Sequence, residues 1–153
     1  KECVCGPGVV KRFLSRISGP LLDRIDLHVE VTPVSYEELA GTDRARETSQ
    51  DIAIRVNKAR EIQAERFKAL SEVLFCNAHM RSRMVREICA LSPAGVVLVR
   101  KAMEKLQLSA RAYDRILKVA RTIADLADSP EIKIEHLAEA IHFRSLDREN
   151  WAG

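Results

Sequence analysis

The stretch from Ser109 to Asp128, SARAYDRILKVARTIADLAD, limits what this chain can fold into more than any other. Tyr113, Ile116, Leu117, Ala120, Ile123, Ala124 and Ala127 recur at steps of three and four, the period that gathers apolar groups on one face of an α-helix. Ala112, Val119 and Leu126 widen that face until a narrow polar stripe is left, made of Arg111, Asp114, Arg115, Lys118, Arg121 and Asp125. A helix so nearly apolar needs neighbours on several sides, so the expected fold class is all-α, a helical bundle with this helix in its middle. Ser109 is the expected N-cap, its hydroxyl accepting from a free amide of the first turn. Arg111 then falls in that first turn, where the free N–H groups and the macrodipole disfavour a cation. A guanidinium beside a helix start suits an anion, and phosphate is the usual one. The same spacing fits a solvated arginine on a surface stripe.

The rest of the chain supplies further helices. Thr48 and Asp51 have capping spacing, and Ile52, Val56, Ala59, Ile62 and Phe67 follow at helical intervals, which predicts a long helix to about Lys68. Its outer face carries Arg55, Lys58, Arg60, Arg66 and Lys68 among glutamates; with no aromatics interleaved, it reads as solvated helix rather than a DNA contact. Leu74, Phe75 and Cys76 form a connector, and His79 sits in a turn without a ligand-spaced partner, which makes it structural. Met84, Val85, Ile88 and Cys89 mark a short helix ending near Leu91. Ser92 and Pro93 start the next one, apolar along Val96, Val97, Val99, Ala102, Met103 and Leu106, with Leu108 leading into the central helix. Ser129-Pro130 predicts a turn, and Ile134, Leu137, Ala138, Ile141 and His142 a last helix to about Arg144, before a tail without periodicity. The tally is five helices after residue 47.

The first third differs. Val9, Val10, Phe13 and Leu14 with Lys11, Arg12 and Arg16 predict a short basic helix, stopped by Gly19-Pro20. Leu27, Val29 and Val31 alternate with His28 and Glu30, the period of a β-strand. Ser35 and Glu38 have capping-box spacing for a short helix to Ala40, and the polar run 41–48 is the expected domain boundary. One strand cannot satisfy its own backbone donors and acceptors, so this part is expected to be a largely unstructured or orphaned remnant, loosely attached to the bundle.

Composition narrows the class. Only 5% aromatic residues and six glycines point to packed helices, and a net charge of +3 is too mild to argue nucleic-acid binding. No apolar run approaches the roughly 20 residues of a membrane span, and the charged start is not that of a signal peptide, so a cytoplasmic protein with no membrane partner is expected. Four cysteines lack framework spacing; Cys76 and Cys89 lie among apolar residues, as small hydrophobes do. Cys3-Val4-Cys5 supplies two thiols where zinc needs four ligands, so by itself it reads as two free cysteines.

Two segments carry a family resemblance. SARAYDRILKVARTIADL, from Ser109, resembles the lid helix of AAA+ ATPases in the magnesium-chelatase-like group, and within it most closely the ComM-like (YifB-like) branch. RISGPLLDRIDLHVEV, residues 16–31, resembles the Leu-Leu-Asp-Arg segment that leads into the last strand of the ATPase core. Asp26 after Arg24-Ile25 favours the ComM-like branch over the chelatase subunit proper.

The resemblance implies roles. Arg111 would be the sensor 2 residue on the terminal phosphates of ATP and Arg24 the arginine finger acting in trans, while Arg115, one turn along the same stripe, is expected by its position to be nearly silent. Cys3 and Cys5 would be half of a four-cysteine site whose other pair lies upstream in that family. Residues 1–45 would be the C-terminal end of the α/β core, 46–147 the helical lid domain, and 148–153 a tail. The whole protein would be a ring homo-oligomer, expected as a hexamer, that uses ATP and Mg2+ to move on DNA in branch migration during natural transformation. The chain has no G-x-x-x-x-G-K-[ST] loop and no apolar strand ending in paired acids. Alone it is therefore expected to be monomeric, to hold no cofactor or metal, and not to turn over ATP. Two other readings stay open, the motor subunit of a magnesium chelatase and a helical interaction module.

Overall fold

The computed structural model describes residues 4–14, 16–36, 47–70 and 73–144. Among them lie seven α-helices: α1 (Pro7–Leu14), α2 (Gly19–Leu22), α3 (Ser49–Phe67), α4 (Ser82–Ile88), α5 (Pro93–Lys105), α6 (Ala110–Leu126) and α7 (Ile134–His142), with a 3-10 turn at Asn77–His79. No strand occurs among the described residues, and the fold is an all-α bundle. None of these helices is long and apolar enough to cross a membrane.

Helix α6 is central because its apolar positions run out of solvent on three sides. It packs on α7, α3, α4 and the 3-10 turn, and Ala112, Ile116, Leu117, Ala120 and Ala124 are all buried. The alanines let neighbouring helices approach closely, while Ile116 and Leu117 each contribute about 1.5–3 kcal/mol by leaving water. Phe67 of α3, Val85 of α4, Val99 of α5, and Leu137 and Ala140 of α7 complete the core. The Cys89 thiol is pushed up to about 11, first by burial, so it behaves as the inert small hydrophobe its neighbours predict.

Caps set the helix ends where the sequence places them. Ser109 Oγ accepts from the Ala112 amide at 3.2 Å, and Ser92 Oγ does the same for Gly95 at 3.2 Å. At the other ends, Gln107 and Asp128 take left-handed φ values of 47° and 54°. Behind them Leu108 and Ser129 return their amides to the carbonyls of Met103 and Ala124, the wrap that satisfies the last orphan carbonyls. A parallel bridge joins Leu91 to Ile132, one just before α5 and the other just before α7, and aligns those two helix starts side by side.

Helix α3 carries a full capping box. Thr48 Oγ1 accepts from the Asp51 amide at 3.2 Å and donates to its carboxylate at 2.6 Å, which also accepts from the Thr48 amide at 3.0 Å. The Thr48 hydroxyl, then its amide, hold the Asp51 carboxyl below its ordinary value of 3.8. That contribution is present above pH 4 or so and is lost as the pH falls through the lowered value. Only Ala59, Gln63 and Phe67 of α3 are buried, whereas Ile52 and Val56 are exposed, so the predicted apolar face covers only the second half of the helix. Thr48→Ala is therefore expected to weaken the first turns locally by about 1 kcal/mol, read as faster amide exchange over 49–54 with little change in melting temperature. A fall in global stability of that size would show that the first half of α3 is tied to the core.

The expected strand at Leu27–Val31 is not formed. Residues 27–35 are irregular and Val29, Val31 and Val34 are exposed; one backbone hydrogen bond, His28 N–H to the Phe143 carbonyl at 2.9 Å, ties the run to the bundle. Strand pairing needs a neighbouring ladder, and the described residues offer none. Gly19-Pro20, expected as a stop, opens α2 instead, five residues after α1 has ended at Leu14. The short helix predicted to Ala40, most of the boundary run, the tail with Trp151, and Cys3 lie outside the described residues.

Candidate functional site

The polar stripe of α6 is split by what covers it. Toward its C-terminal end it is buried. Asp125 accepts from both Nη groups of Arg66 (the Nη1 bond is 2.9 Å), from Asn77 Nδ2 at 2.7 Å and from Arg121 Nε at 3.1 Å. Arg121 also donates to the backbone carbonyls of Pro130 at 2.8 Å and Ser129 at 2.5 Å, while the Asn77 amide donates to Gln63 Oε1 at 3.1 Å. These bonds fasten α3, the 3-10 turn and the α6–α7 loop to one carboxylate. Arg121, Asp125 and Arg66 are thus not the solvated residues the stripe and the outer face of α3 predict. A buried carboxylate needs cations around it, and only the approach of α3 supplies the second one.

Toward its N-terminal end the stripe stays open and lines a groove of about 570 Å³. Arg111, Asp114, Arg115 and Lys118 form one wall, Glu139 and Phe143 of α7 and its C-terminal end another, and Asp26 and Leu27 from the first third close it. Val119, Ile123 and Leu126 give it an apolar floor. Most of its polar groups are already engaged. Asp114 accepts from Ser82 Oγ at 2.5 Å, Lys118 donates to the Ala78 carbonyl at 2.9 Å, and Arg115 pairs with Asp26. Arg111, exposed in the first turn of α6, has no hydrogen bond or ion pair among the described residues.

The predicted site residues therefore separate. Arg111 lies on the groove wall. Arg115 is not a bystander on a solvated stripe, because Asp26, 89 residues away, holds it across the groove mouth. Arg24 does not line the groove; it is exposed and donates from Nη1 to the Pro20 carbonyl at 2.8 Å. On either side of it the chain is gripped by Arg144, fully buried at the end of α7, whose Nη1 donates to the Ile25 carbonyl and whose Nη2 lies 3.9 Å from the Asp23 carboxylate. Cys5 is exposed. Among the described residues no group of three or more His, Cys, Asp or Glu side chains gathers to hold a metal.

Sequence reasoning missed Asp26 and Arg144 as contacts, and Asn77 and Gln63 as buried polar residues. One signal was available: Arg121 and Asp125, four apart on a helix otherwise short of polar positions, are spaced to pair with each other. Nothing local announces the others.

The chain resembles known proteins over nearly its whole length. Residues 46–144 match the family described as magnesium chelatase, subunit ChlI C-terminal, and residues 1–39 the family described as magnesium chelatase, subunit ChlI. Competence protein ComM of Haemophilus influenzae is 42% identical over 142 residues, covering 93% of this chain and 27% of the relative. The Escherichia coli protein YifB is 39% identical and its Salmonella typhimurium counterpart 37%, each over 144 residues, 94% of this chain and 27% of the relative. The chain thus spans about a quarter of the length of the curated relatives it matches.

Proposed function

This chain belongs to the magnesium chelatase ChlI family, and from that premise we propose that it is the lid end of a ring-forming AAA+ ATPase that moves on DNA. The observation that carries the reading is Arg111. It stands exposed at the start of α6, on the wall of a groove whose other cations are engaged within the chain. A helix start and an unengaged guanidinium are complementary to phosphate oxygens. Arg111 is then the sensor 2 residue, meeting the terminal phosphates of ATP when the lid closes on the nucleotide-binding core. Arg24, exposed and, among the described residues, hydrogen-bonded to a backbone carbonyl, is the finger that reaches the nucleotide of the neighbouring subunit. Its charge is independent of pH and its fork can meet several oxygens as negative charge develops in transfer. Magnesium would be held by carboxylates elsewhere in the whole protein. In this reading the ring is a homo-oligomer, and Cys3 and Cys5 are half of a four-cysteine site.

The similarity to a competence protein supports DNA, rather than a porphyrin, as what the motor works on. The test is ATP hydrolysis by the full-length protein with and without branched DNA. Hydrolysis stimulated by branched DNA is the expected result. Hydrolysis that depends on porphyrin-binding partner subunits and ignores DNA would assign the protein to magnesium insertion instead, and no hydrolysis under either condition would leave a helical interaction module.

A further inference from the structure

We propose that the Asp26–Arg115 ion pair is a positioning contact that makes the Arg24 segment travel with the lid, so that the lid position read by Arg111 also sets where the finger is presented to the next subunit. The proposal rests on the reading of Arg111 and Arg24 given above and deepens it.

The argument starts from which residues are held and by what. Asp26 lies two residues after Arg24, and its carboxylate accepts from Arg115 Nη1. Arg115 is one turn along α6 from Arg111, on the same groove wall. On the other side, Arg144 Nη1 donates to the Ile25 carbonyl and the Phe143 carbonyl accepts from the His28 amide at 2.9 Å. Ile25, Asp26 and His28 are thus fastened to α6 and to the end of α7, which pack tightly on each other. The residues just after the finger belong to the same body as the sensor.

The finger itself is left out of that grip. Arg24 is exposed, and among the described residues its guanidinium makes one hydrogen bond, to the carbonyl of Pro20 four residues back. A tip free to reach outward on a stem clamped to the lid is the arrangement that converts lid rotation into finger displacement, since coupling between two sites needs a shared element that moves as a unit.

The pair contributes little to folding. Its side chains are 49% and 29% exposed, and water and salt screen an ion pair so placed until it adds little to stability. Removing it should therefore leave the fold in place, with Ile25 and His28 still held by Arg144 and Phe143, and loosen the tie to α6 that lies two residues from Arg24. A displacement of about 1 Å in a catalytic group can cost up to about 10²-fold.

The experiment uses the full-length ATPase with Asp26→Asn, Arg115→Gln, the charge exchange Asp26→Arg/Arg115→Asp, and Arg24→Ala. The expected result is a fall in kcat of about tenfold in both single variants, with KM for ATP and melting temperature unchanged, and recovery of most of the loss in the exchange variant. Single variants that hydrolyse ATP at the parental rate while Arg24→Ala is inactive would overturn the proposal and leave the finger reading standing. A loss in both single variants that the exchange does not restore would also overturn it, since the effect would then belong to Arg115 in the groove. Normal hydrolysis by Arg24→Ala would instead remove the finger reading, and the proposal with it.

Discussion

Alanine at Asp125 is expected to lower the melting temperature of the chain by on the order of 15 °C, more than any other single substitution in the bundle. The carboxylate is fully buried, and so is Arg121, its side chain only 3% exposed. Removing the acid leaves that guanidinium without its counter-charge and Arg66 and Asn77 without their shared acceptor. Breaking a buried pair from one side costs about 3–5 kcal/mol, and each kcal/mol is worth about 2–4 °C in a chain of 153 residues. Asp125→Asn should be nearly as damaging, because it keeps the shape and removes the charge that matters. Arg66→Met should cost less, since Arg66 is the partly exposed cation of the set, 20% against 3%, and Arg121 still neutralises the acid. Replacing all three charged residues by apolar ones of similar volume should recover much of the loss. Melting curves of the four variants decide it; Asp125→Ala melting within a few degrees of the parent chain would mean the network is not tight.

Arg111→Ala is expected to do the opposite, sparing the fold and stopping the reaction. In the isolated chain its effect on stability should stay below about 0.5 kcal/mol, because a cation in the first turn of α6 is slightly opposed by the dipole and has no hydrogen bond or ion pair to lose among the described residues. In the full-length protein, ATP turnover should fall about 10²-fold or more, the scale of losing a charge-assisted contact aimed at developing negative charge. Lysine should rescue poorly, since a point charge cannot reproduce the fork. Arg115 cannot serve as the silent control, being paired with Asp26. Arg83 on α4, 89% exposed and paired with Glu87 one turn away, is the better one and should leave turnover unchanged. Normal turnover by Arg111→Ala would return Arg111 to the solvated stripe.

The two predictions separate along one helix, and so does what could be read before the fold was known. The helix at Ser109, its cap, the box at Thr48 and Asp51, and the start at Ser92-Pro93 follow from the sequence alone, because each rests on hydrogen bonds and contacts within four residues. The all-α class follows for the same reason, from periodicity summed over many turns. Gly19-Pro20 and Leu27–Val31 mark where local signals fail: proline is as good at opening a helix as at closing one, and alternation makes a strand only beside another strand.

Only the tertiary structure decided the fate of the polar stripe on α6. Six residues that are equivalent by sequence pattern part into a buried network and an open groove because α3 and the Asn77 turn cover one end and leave the other bare. The partners that decide it lie 59 residues away for Asp125 and 89 for Arg115. Over such separations the chain's own preferences carry no information about contact. Whether a charge on a helix is solvent-facing, buried or poised for a ligand depends on which surface arrives opposite it, and that is a property of the packed molecule.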